Sequence, residues 1–187
     1  DMNRSFYNAR VFNTDISNWN TSLVTDMAGM FQFAVKFNGD IGNWNVENLQ
    51  IMKNMFRSNT VFKQDIGDWN TSNVSEMYGV FLGSRTFNAD ISGWDTSNVA
   101  NMEGMFKEAT VFNQDLSPWC VSLIPSKPSP FDRDSGCAGE TALQPQWGSC
   151  PPRPVPGENP EIEGPGGGNT IQEGEVCTKT VDGQVES

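Results

Sequence analysis

The chain has 187 residues and a net charge of −11, from 23 acidic and 12 basic residues. Nucleic-acid binding requires a basic surface, so this composition predicts no nucleic-acid partner, and it disfavours docking on anionic lipid. No stretch approaches the roughly 20 consecutive apolar residues that span a bilayer, so we expect no direct membrane insertion of this segment.

A unit of 25 residues recurs five times in residues 1–124, without insertion or deletion. Aspartate and tryptophan each return once per unit, and phenylalanine returns twice. The aspartate and tryptophan columns are Asp15, Asp40, Asp65, Asp90, Asp115 and Trp19, Trp44, Trp69, Trp94, Trp119. A fixed period in this range predicts a solenoid, in which each unit stacks on its neighbours.

Each unit divides into two halves with different patterns. The second half carries apolar residues at Val99, Met102, Phe106 and Ala109, and these steps of three, four and three predict a short helix. The first half, Asp-Ile-x-x-Trp, is flanked by Asn and Gly and predicts a short strand. Stacked copies would form a short parallel sheet with strands ~4.8 Å apart, so the fold class expected is an α/β repeat.

Two further segments follow the array. Residues 125–152 are expected to be a C-terminal cap, because prolines stop another helix and Phe131 and Trp147 can cover the apolar end. Residues 153–187 form an acidic tail rich in Pro and Gly. The chain begins in mid-repeat, so we expect a processed or truncated start and an open N-terminal end of the array.

The four cysteines, Cys120, Cys137, Cys150 and Cys177, all lie in the last third of the chain. An even number in an acidic chain rich in Asn, Thr and Ser favours disulfides, and therefore an extracellular or cell-surface location. A zinc site is poorly supported, because the sequence has no histidine and no Cys-x-x-Cys. Four cysteines allow three connectivities, and their spacing does not choose among them.

The recurring polar residues have functional and structural interpretations. Stacked aspartates could bind Ca²⁺, but we favour turn aspartates that accept backbone N–H bonds. The Thr21, Thr71, Thr96 column could form an ice- or glycan-binding face, although Val46 interrupts it. The methionines at helical spacing are better explained as core filler than as a soft-metal site. We therefore expect no metal and no cofactor.

Four sequons match the N-glycosylation pattern. Asn20 and Asn70 occupy the same repeat position two units apart, and Asn73 and Asn3 also match. Ordinary turn chemistry explains the same residues, and occupancy requires a eukaryotic secretory route.

The sequence argues against an enzyme. Without histidine, Ser-His and Cys-His nucleophile systems are excluded. The sequence also contains no Gly-x-x-x-x-Gly-Lys phosphate-binding loop.

The repeat resembles that of the BspA-like leucine-rich-repeat surface proteins, including mycoplasma surface lipoproteins. The resemblance rests on residues 112–117, 94–99 and 102–106, and on a closing pattern at residues 119–121 and 147–151. It implies a right-handed LRR-like solenoid, cell-surface display, adhesion and protein–protein contact.

The same resemblance implies a disulfide between Cys120 and Cys150, which flank the closing pattern. Cys137 and Cys177 are additional to that pattern, and they could pair within one chain or between chains.

We therefore predict an extracellular structural or adhesive module that acts through protein–protein contacts. A more specific version is a head-to-tail filament of copies, with Cys137 or Cys177 linking neighbours. The alternative is a surface protein that binds a glycan, Ca²⁺ or ice.

Overall fold

The computed structural model describes residues 1–136 and 138–152. The five repeats form five coils, at residues 1–25, 26–50, 51–75, 76–100 and 101–124. Within the described residues, regular elements are limited to one 3₁₀ helix, Thr141–Leu143, and to parallel bridges joining Asp26, Ile51, Glu76 and Asn101. No helix in this part of the chain is long and apolar enough to cross a membrane.

The half-repeat with helical apolar spacing is a run of turns rather than a helix. In the second coil, alternate N–H groups donate to the next coil and the others donate back three residues. Gly29 donates to the Lys53 carbonyl at 2.8 Å and Phe31 to that of Met55 at 2.9 Å, whereas Gln32 donates back to Gly29 at 3.1 Å. Half of the hydrogen bonds in this segment therefore hold one coil to another.

Left-handed residues explain why no helix forms here. Two positions in each coil have φ between 55° and 71°. These residues are Arg4, Gly29, Asn54, Gly79, Gly104 and Asn8, Phe33, Ser58, Gly83, Glu108. A left-handed residue interrupts a right-handed helix, and outside glycine it costs about 1–2 kcal/mol. Inward side chains recur at steps of three and four because the turns repeat, which mimics a helical pattern.

The half-repeat expected to be a strand is also made of turns. In the second coil, the Trp44 N–H donates to the Ile41 carbonyl at 3.1 Å, and the Leu49 N–H donates to Val46 at 2.9 Å. The parallel bridges lie elsewhere, at the junction between consecutive repeats. A polar side chain begins each turn, and these side chains are described with the candidate site.

The core is a stack of aromatic rings, three from each coil. Phe31 and Phe37 stack within one coil with centroids 3.9 Å apart. Phe31 also stacks on Phe56 of the next coil at 5.8 Å, and Phe37 stacks on Phe62 at 6.1 Å. Because a buried Phe contributes about 1.5–3 kcal/mol, this stack is a large part of the stabilisation of each coil.

The cap ends this stack. Phe106 and Glu108 donate N–H bonds to the carbonyls of Phe131 and Arg133, as earlier coils donate to one another. The Phe131 ring, however, is turned 85° to Phe106, and Trp147 packs edge-on against Phe131 at 5.0 Å. The parallel ring stack therefore stops at Phe131.

A disulfide joins Cys120 to Cys150 across 30 residues and ties the cap to the fifth coil. This is the pair implied by the family resemblance. Cys137, Cys177 and the tail at residues 153–187 lie outside the described residues, so the pairing of these two cysteines stays a prediction.

Candidate binding surface of the stacked coils

The aspartate column lies at the start of one turn in every coil. Each Oδ1 accepts the backbone N–H two residues later, at 2.8–3.0 Å. The donors are Ser17, Gly42, Gly67, Ser92 and Ser117. All five carboxylates are exposed, so each one shapes its turn and also charges the surface. In the described residues, no group of three or more carboxylates and thiols is placed to hold a metal ion.

The hydrogen bond to Ser17 has an electrostatic consequence. It lowers the pKa of Asp15 below the ordinary value of 3.8, with the backbone N–H as the main cause and the Ser17 side chain as the second. A hydrogen bond to the charged form favours ionisation. The Asp15 carboxylate is thus ionised at any neutral or mildly acidic pH.

The tryptophan and threonine columns are buried ladders between coils. Trp69 donates its indole N–H to the Ile41 carbonyl at 3.2 Å, and the other inner tryptophans repeat this bond. Thr21 donates to Asn45 at 2.8 Å, and the same bond recurs at Thr71 and Thr96. Because these threonines are 1% exposed, they cannot form an exposed ice-binding face.

The four sequon asparagines differ in how their amides are used. Asn20 and Asn70 accept hydrogen bonds from Ser22 and Ser72 through Oδ1, which leaves Nδ2 without a partner among the described residues. In contrast, Asn73 Nδ2 donates to the Glu47 carbonyl at 2.6 Å. Asn3 Nδ2 likewise donates to Asp26 at 3.0 Å. Glycosylation at these four asparagines stays a prediction.

The two halves of each coil differ in charge. Positions 14–25 of the five repeats carry eight acidic residues and no Lys or Arg. These residues, the acidic face, are Asp15, Asp40, Glu47, Asp65, Asp68, Asp90, Asp95 and Asp115, and all are exposed. The net charge of the whole chain does not reveal this face, which becomes visible only when the charges are sorted by half-repeat.

All eight basic residues of the repeats lie in the other half, at positions 1–13, among five acidic ones. This mixed-charge face holds Arg4, Arg10, Lys36, Lys53, Arg57, Lys63, Arg85 and Lys107. Rings from the two halves meet in the core, as Phe31 and Trp44 do at 6.2 Å. The two halves therefore share one core, and the charged side chains lie on the outer surface of each half.

Open grooves lie at both ends of the array. One groove of about 530 Å³ lies beside the Cys120–Cys150 disulfide, and its lining also includes Gly93, Pro118 and Pro152. Another of about 310 Å³ crosses the first three coils on the mixed-charge face. Neither groove could be predicted from the sequence, because each depends on which side chains neighbouring coils bring together.

A family profile described as "Mycoplasma protein of unknown function, DUF285" matches residues 1–81 and residues 40–137. No curated protein and no solved structure matches the chain. The two matched segments overlap and together cover the repeats and the start of the cap.

Proposed function

The chain belongs to the Mycoplasma family of unknown function DUF285, and from this premise we propose a surface-displayed repeat module that acts through protein–protein contacts outside the cell. The proposed architecture is a right-handed LRR-like solenoid, in which the five coils serve as a scaffold. This proposal is supported by the recurring Asp, Trp and Thr side chains, which form hydrogen bonds within and between coils. The exposed residues that differ between coils would then recognise the partner.

The acidic face is the observation that carries this proposal. Eight exposed carboxylates and no cation run along one side of the stack. A single-sign surface of this kind speeds association with a complementary partner and disfavours like-charged ones. We propose a basic protein surface as the partner, and the mixed-charge face of a second copy is one such surface.

The test is self-association and binding to a panel of folded basic proteins, measured by sedimentation velocity and biolayer interferometry. The informative variant combines Asp40→Asn, Asp65→Asn and Asp90→Asn, because the amide oxygen still accepts the turn N–H while the charge is lost. We expect binding at low salt, a loss of about tenfold in the triple variant, and further loss at about 0.5 M salt.

The matched control removes the same number of charges outside the acidic face, through Glu103→Gln, Asp134→Asn and Glu140→Gln. All three residues are exposed. If the control loses as much affinity as the triple variant, net charge rather than the acidic face governs binding. If wild type neither self-associates nor binds any basic protein, the proposal fails.

A filament is the more specific form of this function. Trp19 in the first coil is 42% exposed, whereas Trp44 and Trp69, which lie between coils, are 3% exposed. The cap covers the fifth coil, so a head-to-tail partner would contact the outer side of the cap. Electron microscopy and non-reducing electrophoresis test this version, and monomeric particles at high concentration would exclude it.

A further inference from the structure

The groove across the first three coils lies on the mixed-charge face, away from the acidic face. It encloses about 310 Å³ and is lined by residues from all three coils. Its lining residues are Asn3, Arg4, Ala28, Gly29, Gln32, Lys53 and Asn54. Only two of these seven, Ala28 and Gly29, lack a polar side chain, so the groove suits a polar ligand.

The recess of this groove lies around Gly29, at a position where both neighbouring coils carry a side chain. Arg4, Gly29 and Asn54 occupy the same repeat position and share a left-handed backbone. A Cβ added at Gly29 would lie 3.1 Å from Gln32 Oε1 and 3.3 Å from Arg4 Cγ. Glycine therefore lets Gln32 and Arg4 approach the backbone closely, and a side chain here would displace them.

Asn54, which lines this groove, has an unused hydrogen-bonding group. Its side-chain Oδ1 is buried and has no hydrogen-bond partner among the described residues. Buried polar groups in proteins almost always have a partner. An acceptor held in this state is suited to a ligand that brings its own donor, and the amide of Gln32 lies beside it in the same groove.

Two cations flank the recess. Neither Arg4 nor Lys53 forms an ion pair within the described part of the chain. Each lies over an aromatic ring, Arg4 Cζ at 5.5 Å from Tyr7 and Lys53 Nζ at 5.2 Å from Tyr78. Such contacts restrain a long cationic side chain without neutralising it.

Two carboxylates adjoin the groove but are already engaged. Asp26 Oδ1 accepts the Ala28 N–H at 2.7 Å and its Oδ2 accepts Asn3 Nδ2 at 3.0 Å, while Asp1 Oδ1 accepts the Asn3 N–H at 2.7 Å. The lining itself holds two cations and no carboxylate, so it favours a negatively charged ligand.

We propose that this groove binds one acidic sugar unit. The sugar's carboxylate or sulfate lies between Arg4 and Lys53, and its hydroxyls bond to the amides of Asn3, Gln32 and Asn54. The volume is at the lower end of the range for small-molecule sites, which fits a single ring better than a macromolecule. This inference does not rest on the protein-contact function, which uses the other face.

The first experiment is a ¹⁵N-resolved NMR titration of the full chain at low salt. The probes are D-glucuronate, N-acetylglucosamine 6-sulfate and, as a neutral control, D-glucose. We expect the backbone amides of Gly29, Gln32 and Lys53 to shift with one or both acidic sugars and to stay unchanged with glucose. A response to glucuronate alone identifies a carboxylate site, and a response to the sulfated sugar alone identifies a sulfate site.

The decisive variant is Gly29→Asn, whose side chain displaces Gln32 and Arg4 in the recess without removing a charge. Asparagine already occupies this position at Asn54 with φ 57°, so the backbone tolerates it. The matched control is Gly104→Asn, at the same repeat position with φ 66°, where the nearest atom to an added Cβ is 3.6 Å away. We expect Gly29→Asn to abolish the shifts and Gly104→Asn to retain them.

Lys53→Gln tests the charge separately and should weaken binding at least about fivefold. Thermal melting and the remaining NMR signals report whether each variant is folded. Absence of shifts in wild type with both acidic sugars overturns the inference, as does unchanged binding in folded Gly29→Asn. The triple variant of the acidic face should bind these sugars normally, so the two proposals fail independently.

Discussion

Residue 46 shows what one hydrogen bond between coils contributes, because the threonine column is interrupted there. Val46 stands where Thr21, Thr71 and Thr96 donate a hydroxyl to the next coil. The side chain of Val46 has no donor, so the carbonyl of Asn70 receives no such bond. The repeat tolerates this loss because the methyl groups of valine still pack in the core.

Restoring the hydroxyl should therefore stabilise the chain. We expect Val46→Thr to raise the free energy of unfolding by about 0.5–1.5 kcal/mol, the usual net contribution of one hydrogen bond. Urea denaturation measures the change. Val46→Ala, which shortens the side chain without adding a donor, should lower stability instead, and a neutral or destabilising Val46→Thr would contradict the ladder.

The lowered pKa of Asp15 predicts a pH dependence with a defined sign. A carboxyl with a depressed folded pKa contributes stability above its unfolded value of 3.8, and this contribution is lost as pH falls through the folded pKa. In an NMR titration, the Asp15 carboxyl should therefore titrate with a midpoint below 3.8. Asp15→Asn keeps the acceptor oxygen and should show no such step; a wild-type midpoint at or above the ordinary value would refute the assignment.

At the scale of one coil, the columns and the core were predictable and the local conformation was not. The period of 25 residues identifies the residues that stack, and the Phe and Trp columns are ring stacks in the structure. The helix prediction missed the left-handed positions, because these hold Arg, Phe and Glu as well as glycine. Local sequence could not signal them, since the inter-coil bonds impose that backbone.

The groove was missed for a related reason. Gly29 is an ordinary glycine in the sequence, and only stacking places Arg4 and Asn54 on either side of it. These three residues are each one repeat apart along the chain, so they are recognised as neighbours only when the repeats are aligned.

A buried tryptophan serves two coils at once. We expect Trp69→Ala to cost about 3–5 kcal/mol, through the cavity left behind and the lost bond to Ile41. Trp19→Ala is the matched control, because that ring is 42% exposed and its indole N–H has no bond to a described residue. Chemical denaturation should show a clearly smaller loss for Trp19→Ala, and equal losses would argue against the stacked arrangement.

For the whole molecule, the cap and its disulfide determine how firmly the C-terminal end is closed. The cap supplies the carbonyls that the fifth coil needs, at Phe131, Arg133 and Ser149. The Phe131 ring of the cap also lies at 85° to the Phe106 ring, so the parallel stacking of rings does not continue beyond it. The stability of the array should therefore depend on whether the cap is closed.

Loss of the disulfide is the whole-molecule prediction. Opening this 30-residue loop, by Cys120→Ser with Cys150→Ser, should cost about 3–4 kcal/mol on the chain-entropy account. Differential scanning calorimetry should show a lower melting temperature, and hydrogen exchange should speed up at Phe106 and Glu108. Cys137→Ser with Cys177→Ser is the control and should leave these amides protected; similar loss in both variants would contradict the pairing.

Many backbone hydrogen bonds from one coil to the next have the same offset along the chain, as from Arg4 to Ala28 and from Gly83 to Lys107. Successive junctions therefore present nearly the same backbone donors, acceptors and rings to the unit that follows. A gene that gains or loses one whole repeat would keep all its remaining junctions intact. The number of repeats can therefore change in evolution while the fold is preserved. We expect relatives to differ in the length of the array more readily than in its architecture.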